Sequence, residues 1–232
     1  IMTMIGSGLT GFTALGLAGL AKLLAAAVFP IGLIMIVLTG SDLWTGNCVI
    51  MASGALQGTC TWREVFRNWV ISFGANFLGA LAVAYFLMFE SGMVSLDPAR
   101  SWVINAAEAK MGLTFKETFL RAIGANWIVN IAVMLVTTAT TVPGKILAAW
   151  FPIMTFAAIG WEHSVANMFS IPLANMLQAS SFTNFLELFA GFLKTNLLPV
   201  TLGNLVGGIA MVALAYDRIV MKPKRYDEPM RA

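Results

Sequence analysis

Long apolar runs separated by short polar breaks dominate the chain, and the lengths of those runs set its elements. Residues 1–41 carry a single charge, Lys22. Wound as one helix this run would be about 60 Å long, about twice the hydrocarbon thickness of a bilayer, so it holds more than one segment. Gly6, Gly8, Gly11 and Gly16 place a turn between the remnant of a first helix, residues 1–8, and a second helix over 18–40. The polar residues 41–46 break that second helix, and a half-helix over 47–56 follows. A polar loop at 57–64 leads into a third span over 65–89. Residues 90–115 form the main extramembrane stretch, with Asp97, Arg100, Glu108 and Lys110 and a helix start near Pro98. A fourth span covers 116–141, and residues 142–145, Val-Pro-Gly-Lys, read as a turn. A fifth span over 146–161 breaks at Gly160-Trp161-Glu162-His163 and resumes as a half-helix over 164–176. A polar loop with its own short apolar stretch, 177–194, precedes a sixth span over 196–220.

The breaks repeat. Phe29-Pro30-Ile31 is followed by Gly40, Asp42 and Asn47; Phe151-Pro152-Ile153 is followed by Gly160, Glu162 and Asn167. Gly and acid are two residues apart in both copies, and acid and Asn five. Asn68, Asn76 and Gly79 recur at the same spacings as Asn196, Asn204 and Gly207. Each half therefore reads as three spans with a broken middle one, and an odd number of spans forces the halves to insert with opposite orientation. The expected fold is an all-α membrane protein, a six-span bundle of the aquaporin-like kind with an inverted three-span repeat, two broken helices and a truncated first span. Residues 1–232 form a single transmembrane domain; 1–89 make the first half, its first helix incomplete, and 116–220 the second. A helix interrupted at bilayer depth strands N–H and C=O groups at several kcal/mol each unless protein or water satisfies them. Two matched interruptions thus point to a polar site at the repeat interface, a pore or transport pathway.

Composition agrees: 59% of residues are hydrophobic and 11% charged. The net charge of +3 comes largely from Arg218, Lys222, Lys224, Arg225 and Arg231, which makes 221–232 a basic tail on the cytoplasmic side. With six spans the N-terminus is also inside, together with Arg63 and Lys145, whereas Arg100, Lys110, Lys116 and Lys194 fall outside. No basic face with interleaved aromatics exists for nucleic acid. Two cysteines, Cys48 and Cys60, make neither a disulfide framework nor a metal site, and one histidine excludes a His-rich cluster; no metal or cofactor is expected. Cys48, in an apolar run, reads as a small buried residue.

The candidate chemistry sits at the breaks. Asp42 and Glu162, with Asn47 and Asn167 five residues on, read first as loop supports, each carboxylate accepting from stranded loop amides as a helix cap does. His163 is the one side chain there that titrates near neutral pH, so it can bind or protonate a weak-acid anion. Thr45, Asn47 and Asn126 offer neutral donors; Asn126 reads equally as interhelical glue. Phe29, Leu33, Leu43 and Phe156 flank the breaks as core residues or as constrictions that strip water from a solute. Lys110 and Lys116 precede the fourth span, as interfacial anchors or as a positive pore mouth.

Gly160-Trp161-Glu162-His163-Ser164-Val165-Ala166-Asn167-Met168-Phe169 resembles the formate/nitrite transporter family, whose phrase G-[FWY]-E-H-[SC]-[IV]-A-N-M is highly specific. Gly40-Ser41-Asp42-Leu43-Trp44-Thr45-Gly46 resembles that family's loop in its second helix, and Asn196-Leu197-Leu198-Pro199-Val200-Thr201-Leu202-Gly203-Asn204 the start of its last helix. The resemblance covers the chain from about residue 3 to the tail. It implies a pentamer with one pore per protomer, in a bacterial inner membrane, passing formate first, with nitrite or hydrosulfide as alternatives. It also implies that His163 is the central histidine and Asn126 the asparagine that bonds it. Thr45 matches the mobile-loop threonine facing the histidine, and Lys110 a vestibule lysine that attracts anions. Leu33 and Leu43, with Phe29, match the constriction near the threonine, and Phe156 the one on the opposite side. An anion between them would share a proton with His163 and cross as the neutral acid. The competing class, a neutral-solute channel of the aquaporin type, calls for two Asn-Pro-Ala turns, and neither break carries one. An intramembrane Ser–His enzyme is disfavoured because Ser164 projects about 100° away from His163 on a helix.

Overall fold

The computed structural model describes residue 12 and residues 15–219; their regular structure is all helix, with no strand among the described residues. The remnant of the first helix at 1–8 and the tail at 221–232 lie outside the described residues. Five stretches are long and apolar enough to cross a membrane: Ala18–Thr39, Trp62–Glu90, Phe115–Thr138, Val142–Ile159 and Phe182–Ile219. The helices in chain order are α1 (Ala18–Val28), α2 (Ile31–Thr39), α3 (Trp44–Leu56), α4 (Trp62–Ala82), α5 (Ala99–Met111), α6 (Phe115–Thr138), α7 (Val142–Ile159), α8 (Ser164–Gln178), α9 (Phe182–Phe192), α10 (Leu198–Gly208) and α11 (Leu214–Ile219). Wider π turns extend α4 through Val83–Glu90 and join α9, α10 and α11 into one rod.

Two breaks with one geometry organise the bundle. α2 ends at Gly40 (φ 72°) and α7 at Gly160 (φ 82°), left-handed positions that glycine adopts without a Cβ penalty. Each glycine N–H closes the last turn, on Ile36 O in α2 and on Phe156 O in α7. The chain then runs extended to Leu43 (φ −120°, ψ 118°) and His163 (φ −123°, ψ 121°), and α3 and α8 start immediately after them. The first break is thus shorter than the sequence predicts, because Thr45 and Gly46 already belong to α3. The prolines of the repeated phrase differ. Pro30 separates α1 from α2, whereas Pro152 lies inside an uninterrupted α7.

The remaining boundaries follow local chemistry. Thr61 with Glu64 and Thr114 with Glu117 form complete capping boxes at the starts of α4 and α6. Residues 142–145 are not a turn but the first turn of α7. Thr141 caps it by accepting from Gly144 N at 3.2 Å, and Pro143 sits where a helix has no use for its missing N–H. The expected loop at 177–194 is largely helix, with α9 continuing into the last span.

Glycines set how closely α6 and α10 approach. A Cβ on Gly203 would collide with the Phe119 carbonyl, and one on Gly207 with the Ile123 carbonyl. The two backbones therefore touch, the packing that small residues permit where no hydrophobic effect drives helices together. Gly79, the repeat counterpart of Gly207, meets nothing within 4 Å in the protomer. Gly207→Ala is therefore expected to destabilise the protein by about 1–3 kcal/mol, an overpacking penalty, with Gly79→Ala near neutral. A thermal melt of both variants in detergent checks this.

Candidate functional site

Four asparagines from the third and last spans hold the two breaks, and each half does so in the same way. Asn76 Oδ1 accepts from Trp44 N at 2.8 Å while its Nδ2 donates to Asp42 O at 3.2 Å. In the second half, Asn204 Oδ1 accepts from Ser164 N at 2.9 Å and its Nδ2 donates to Glu162 O at 3.1 Å. Asn204 also reaches Ala122 O on α6 at 2.8 Å. One helical turn and more away, Asn47 donates to Asn68 at 2.9 Å and Asn167 to Asn196 at 2.8 Å. The backbone groups stranded by each interruption are thus satisfied by a side chain two elements distant. The sequence shows these asparagines as a spacing repeat but not their task.

The carboxylates do something else. The sequence suggests that Asp42 and Glu162 accept from loop amides; they accept from side chains instead. Asp42 Oδ1 receives Asn47 Nδ2 at 3.3 Å, and Glu162 Oε2 receives Asn167 Nδ2 at 2.6 Å. Glu162, 2% exposed, also pairs with Lys110 Nζ at 2.9 Å. A charge that deep in apolar surroundings needs such a partner. Lys110 is therefore committed to an ion pair, not free in the way an anion-attracting lysine is. Asp42 is exposed and has no cation within ion-pairing distance among the described residues.

His163 caps α8. Its Nδ1 accepts from Ala166 N at 3.2 Å, and its Nε2 lies 2.9 Å from the Thr45 hydroxyl. A backbone N–H can only donate, so Nδ1 carries the lone pair, and the ring proton sits on Nε2, directed at Thr45 Oγ1. The two breaks, far apart in sequence, thus meet through one hydrogen bond. Asn126, expected to bond His163, does not. It is fully buried and donates to Asn204 O at 2.6 Å, leaving its Oδ1 without a partner. The Asn204 carbonyl on α10 takes the amide instead.

Three cavities stand in series along these residues. The central one, about 310 Å³, has His163 in its wall with Phe29, Leu33, Leu43 and Phe156. A second, about 200 Å³, shares Phe29 and Phe156 with it and adds Lys110, Gly160 and Trp161. A third, about 220 Å³, shares Leu33 and Leu43 with the central one and adds Asp42, Asn47 and Thr137. Each boundary is apolar. The Phe29 and Phe156 rings meet edge to face at 5.2 Å, so Phe29 belongs with Phe156, not with Leu33 and Leu43 as the sequence grouping had it. The kink at Pro30 turns Phe29 inward, whereas Phe151, its counterpart in the repeated phrase, is 66% exposed on α7. No group of three or more His, Cys, Asp or Glu residues is placed to hold a metal among the described residues.

This arrangement can be compared with known proteins. The sequence matches the family described as "Formate/nitrite transporter" over residues 1–217. It is 42% identical over 213 residues to a "Probable formate transporter" of Methanothermobacter thermautotrophicus, covering 86% of this chain and 75% of that one. It is 34% identical over 219 residues to the "Formate channel FocA" of Escherichia coli strain K12, covering 88% and 76%. Its fold matches the solved structure "Pentameric formate channel with formate bound" with a TM-score of 0.79 and 26% identity, over 95% of this chain and 90% of that one. Five apolar spans, two breaks of one design and these likenesses lead to one conclusion: the chain is an integral membrane protein of the formate/nitrite transporter family, a family of channels and transporters, not enzymes.

Proposed function

We propose that each protomer passes a small monovalent anion, formate first, through its three cavities, with His163 as the central proton-sharing group. The observation that carries this reading is the series itself. Two apolar pairs, Phe29 with Phe156 and Leu33 with Leu43, bound a chamber whose wall holds His163, hydrogen-bonded at 2.9 Å to the buried Thr45 behind it. A bare anion loses its hydration at an apolar constriction, a penalty that falls away when the solute is neutral or shares a proton. Thr45 is the natural exchange partner: an anion arriving in the chamber accepts the Nε2–H bond in its place.

Complete transfer of that proton leaves a neutral ring only if Nδ1 has taken up a proton first. Nδ1 is held by the Ala166 N–H, so the ring must surrender its helix-capping bond to act as an acid. Proton arrival and anion passage are thereby coupled at one side chain, and transport depends on pH. Asn126 supports this site at one remove, by fixing the Asn204 carbonyl. The names of the relatives, a formate channel and a probable formate transporter, favour formate; nitrite and hydrosulfide fit the same chamber. Likeness to a pentameric formate channel supports a homopentamer, and the basic residues after the last span support a C-terminus on the cytoplasmic side of a bacterial inner membrane.

The test is initial flux into proteoliposomes of formate, nitrite, hydrosulfide, chloride and glycerol, at acidic and at neutral pH. Formate flux well above that of chloride and glycerol is expected. Hydrosulfide preference would keep the mechanism and change the substrate. Glycerol flux without anion flux would overturn the proposal in favour of a neutral-solute channel.

A further inference from the structure

Lys110 lines an outer cavity, but its ammonium is neutralised by Glu162 at 2.9 Å. Lys22 is the one charged residue of α1, set in an apolar span, where an ionisable side chain marks function by default. α1 packs along α7, and the Lys22 ammonium stands 4.0 Å from the point that a Cβ on Gly160 would occupy. Gly160 forms part of the wall of the cavity that contains Lys110. Both Gly160 N and Trp161 N turn back to Phe156 O, so the last carbonyls of α7 lack helical partners and present the negative end of the helix dipole there. Lys22 makes no ion pair or hydrogen bond to a side chain among the described residues. Lys22, Lys110 and Glu162 together leave this end of the pathway with one uncompensated positive charge.

We infer that Lys22, and not Lys110, supplies the charge that draws the anion into the cavity beside Gly160, a role that rests on the anion-transport reading above. The dipole end favours an ammonium at the rim, and no acid pairs with it among the described residues. Lys110 is left to the different task of holding the Glu162 carboxylate in place.

The experiment measures initial formate uptake by proteoliposomes, below and above half-saturation and at low and high ionic strength. Lys22→Gln keeps a polar side chain at this position and removes the charge. It is expected to lower sub-saturating flux about five-fold, leave saturating flux unchanged and flatten the dependence on salt, while Lys22→Arg restores all three. Loss of saturating flux with unchanged half-saturation would show a structural cap and overturn the inference, as would unchanged low-concentration flux. If Lys22→Gln fails to assemble, Lys22→Cys in a Cys60→Ser background serves, since Cys48 is fully buried. Modification with a cationic methanethiosulfonate is then expected to raise low-concentration flux and an anionic one to leave it low; equal effects of the two would overturn the inference. Wild-type protein without anion flux would instead overturn the proposed function.

Discussion

Replacing Asn204 with alanine is expected to cost about 3–5 kcal/mol and to leave little assembled protein at temperatures the wild type survives. The side chain is fully buried and makes three hydrogen bonds, to Ser164 N, Glu162 O and Ala122 O. Removing it leaves Ser164 N and Glu162 O without partners, at about 1–3 kcal/mol for each buried group not rescued by water, and takes a second bond from Ala122 O, which lies inside α6. The counterpart variant, Asn76→Ala, frees two groups in a less buried place and should cost about 1–2 kcal/mol. Thermal unfolding of both in detergent measures the difference. Equal effects would show that the second break carries no more of the stability than the first.

Replacing His163 with phenylalanine is expected to remove the pH dependence of formate flux and to lower flux at acidic pH by about a hundred-fold, the smaller end of what a positioned proton donor contributes. In the wild type, flux rises as pH falls, because the ring delivers a proton only after Nδ1 has taken one up. The variant can neither load nor deliver it. Two side effects must be separated from this. Thr45 Oγ1 loses its partner at 2.9 Å, and α8 loses the cap on Ala166 N, worth about 1 kcal/mol. His163→Asn isolates the proton, since asparagine caps a helix well and does not titrate near neutral pH. It should assemble better than the phenylalanine variant and share its flat pH profile. A wild-type flux and pH profile in an assembled His163→Phe protein would sink the mechanism.

What could be read along the chain differed between neighbouring residues for one reason. The spacings from Gly40 to Asn47 and from Gly160 to Asn167 were legible because each interruption makes the same local demand, a left-handed exit, an extended bridge and a restarted helix. The asparagine repeat was legible as a spacing for the same reason. Its function was not, because the amide it serves, Trp44 N or Ser164 N, belongs to a helix that only tertiary packing brings near. Lys110 illustrates the limit most clearly. In sequence it is a lysine before a span; in the fold it meets Glu162, 52 residues on.

The sequence by itself therefore determined the membrane class, the inverted repeat and the residues at the two breaks, since hydrophobic run length and repeated backbone demands are local properties. Only the tertiary structure decided which ring closes which constriction, which lysine is paired, where Asn126 points and how Thr45 reaches His163. Each of those depends on contacts between elements of opposite halves, and no one-dimensional spacing encodes the distance between two helices that cross.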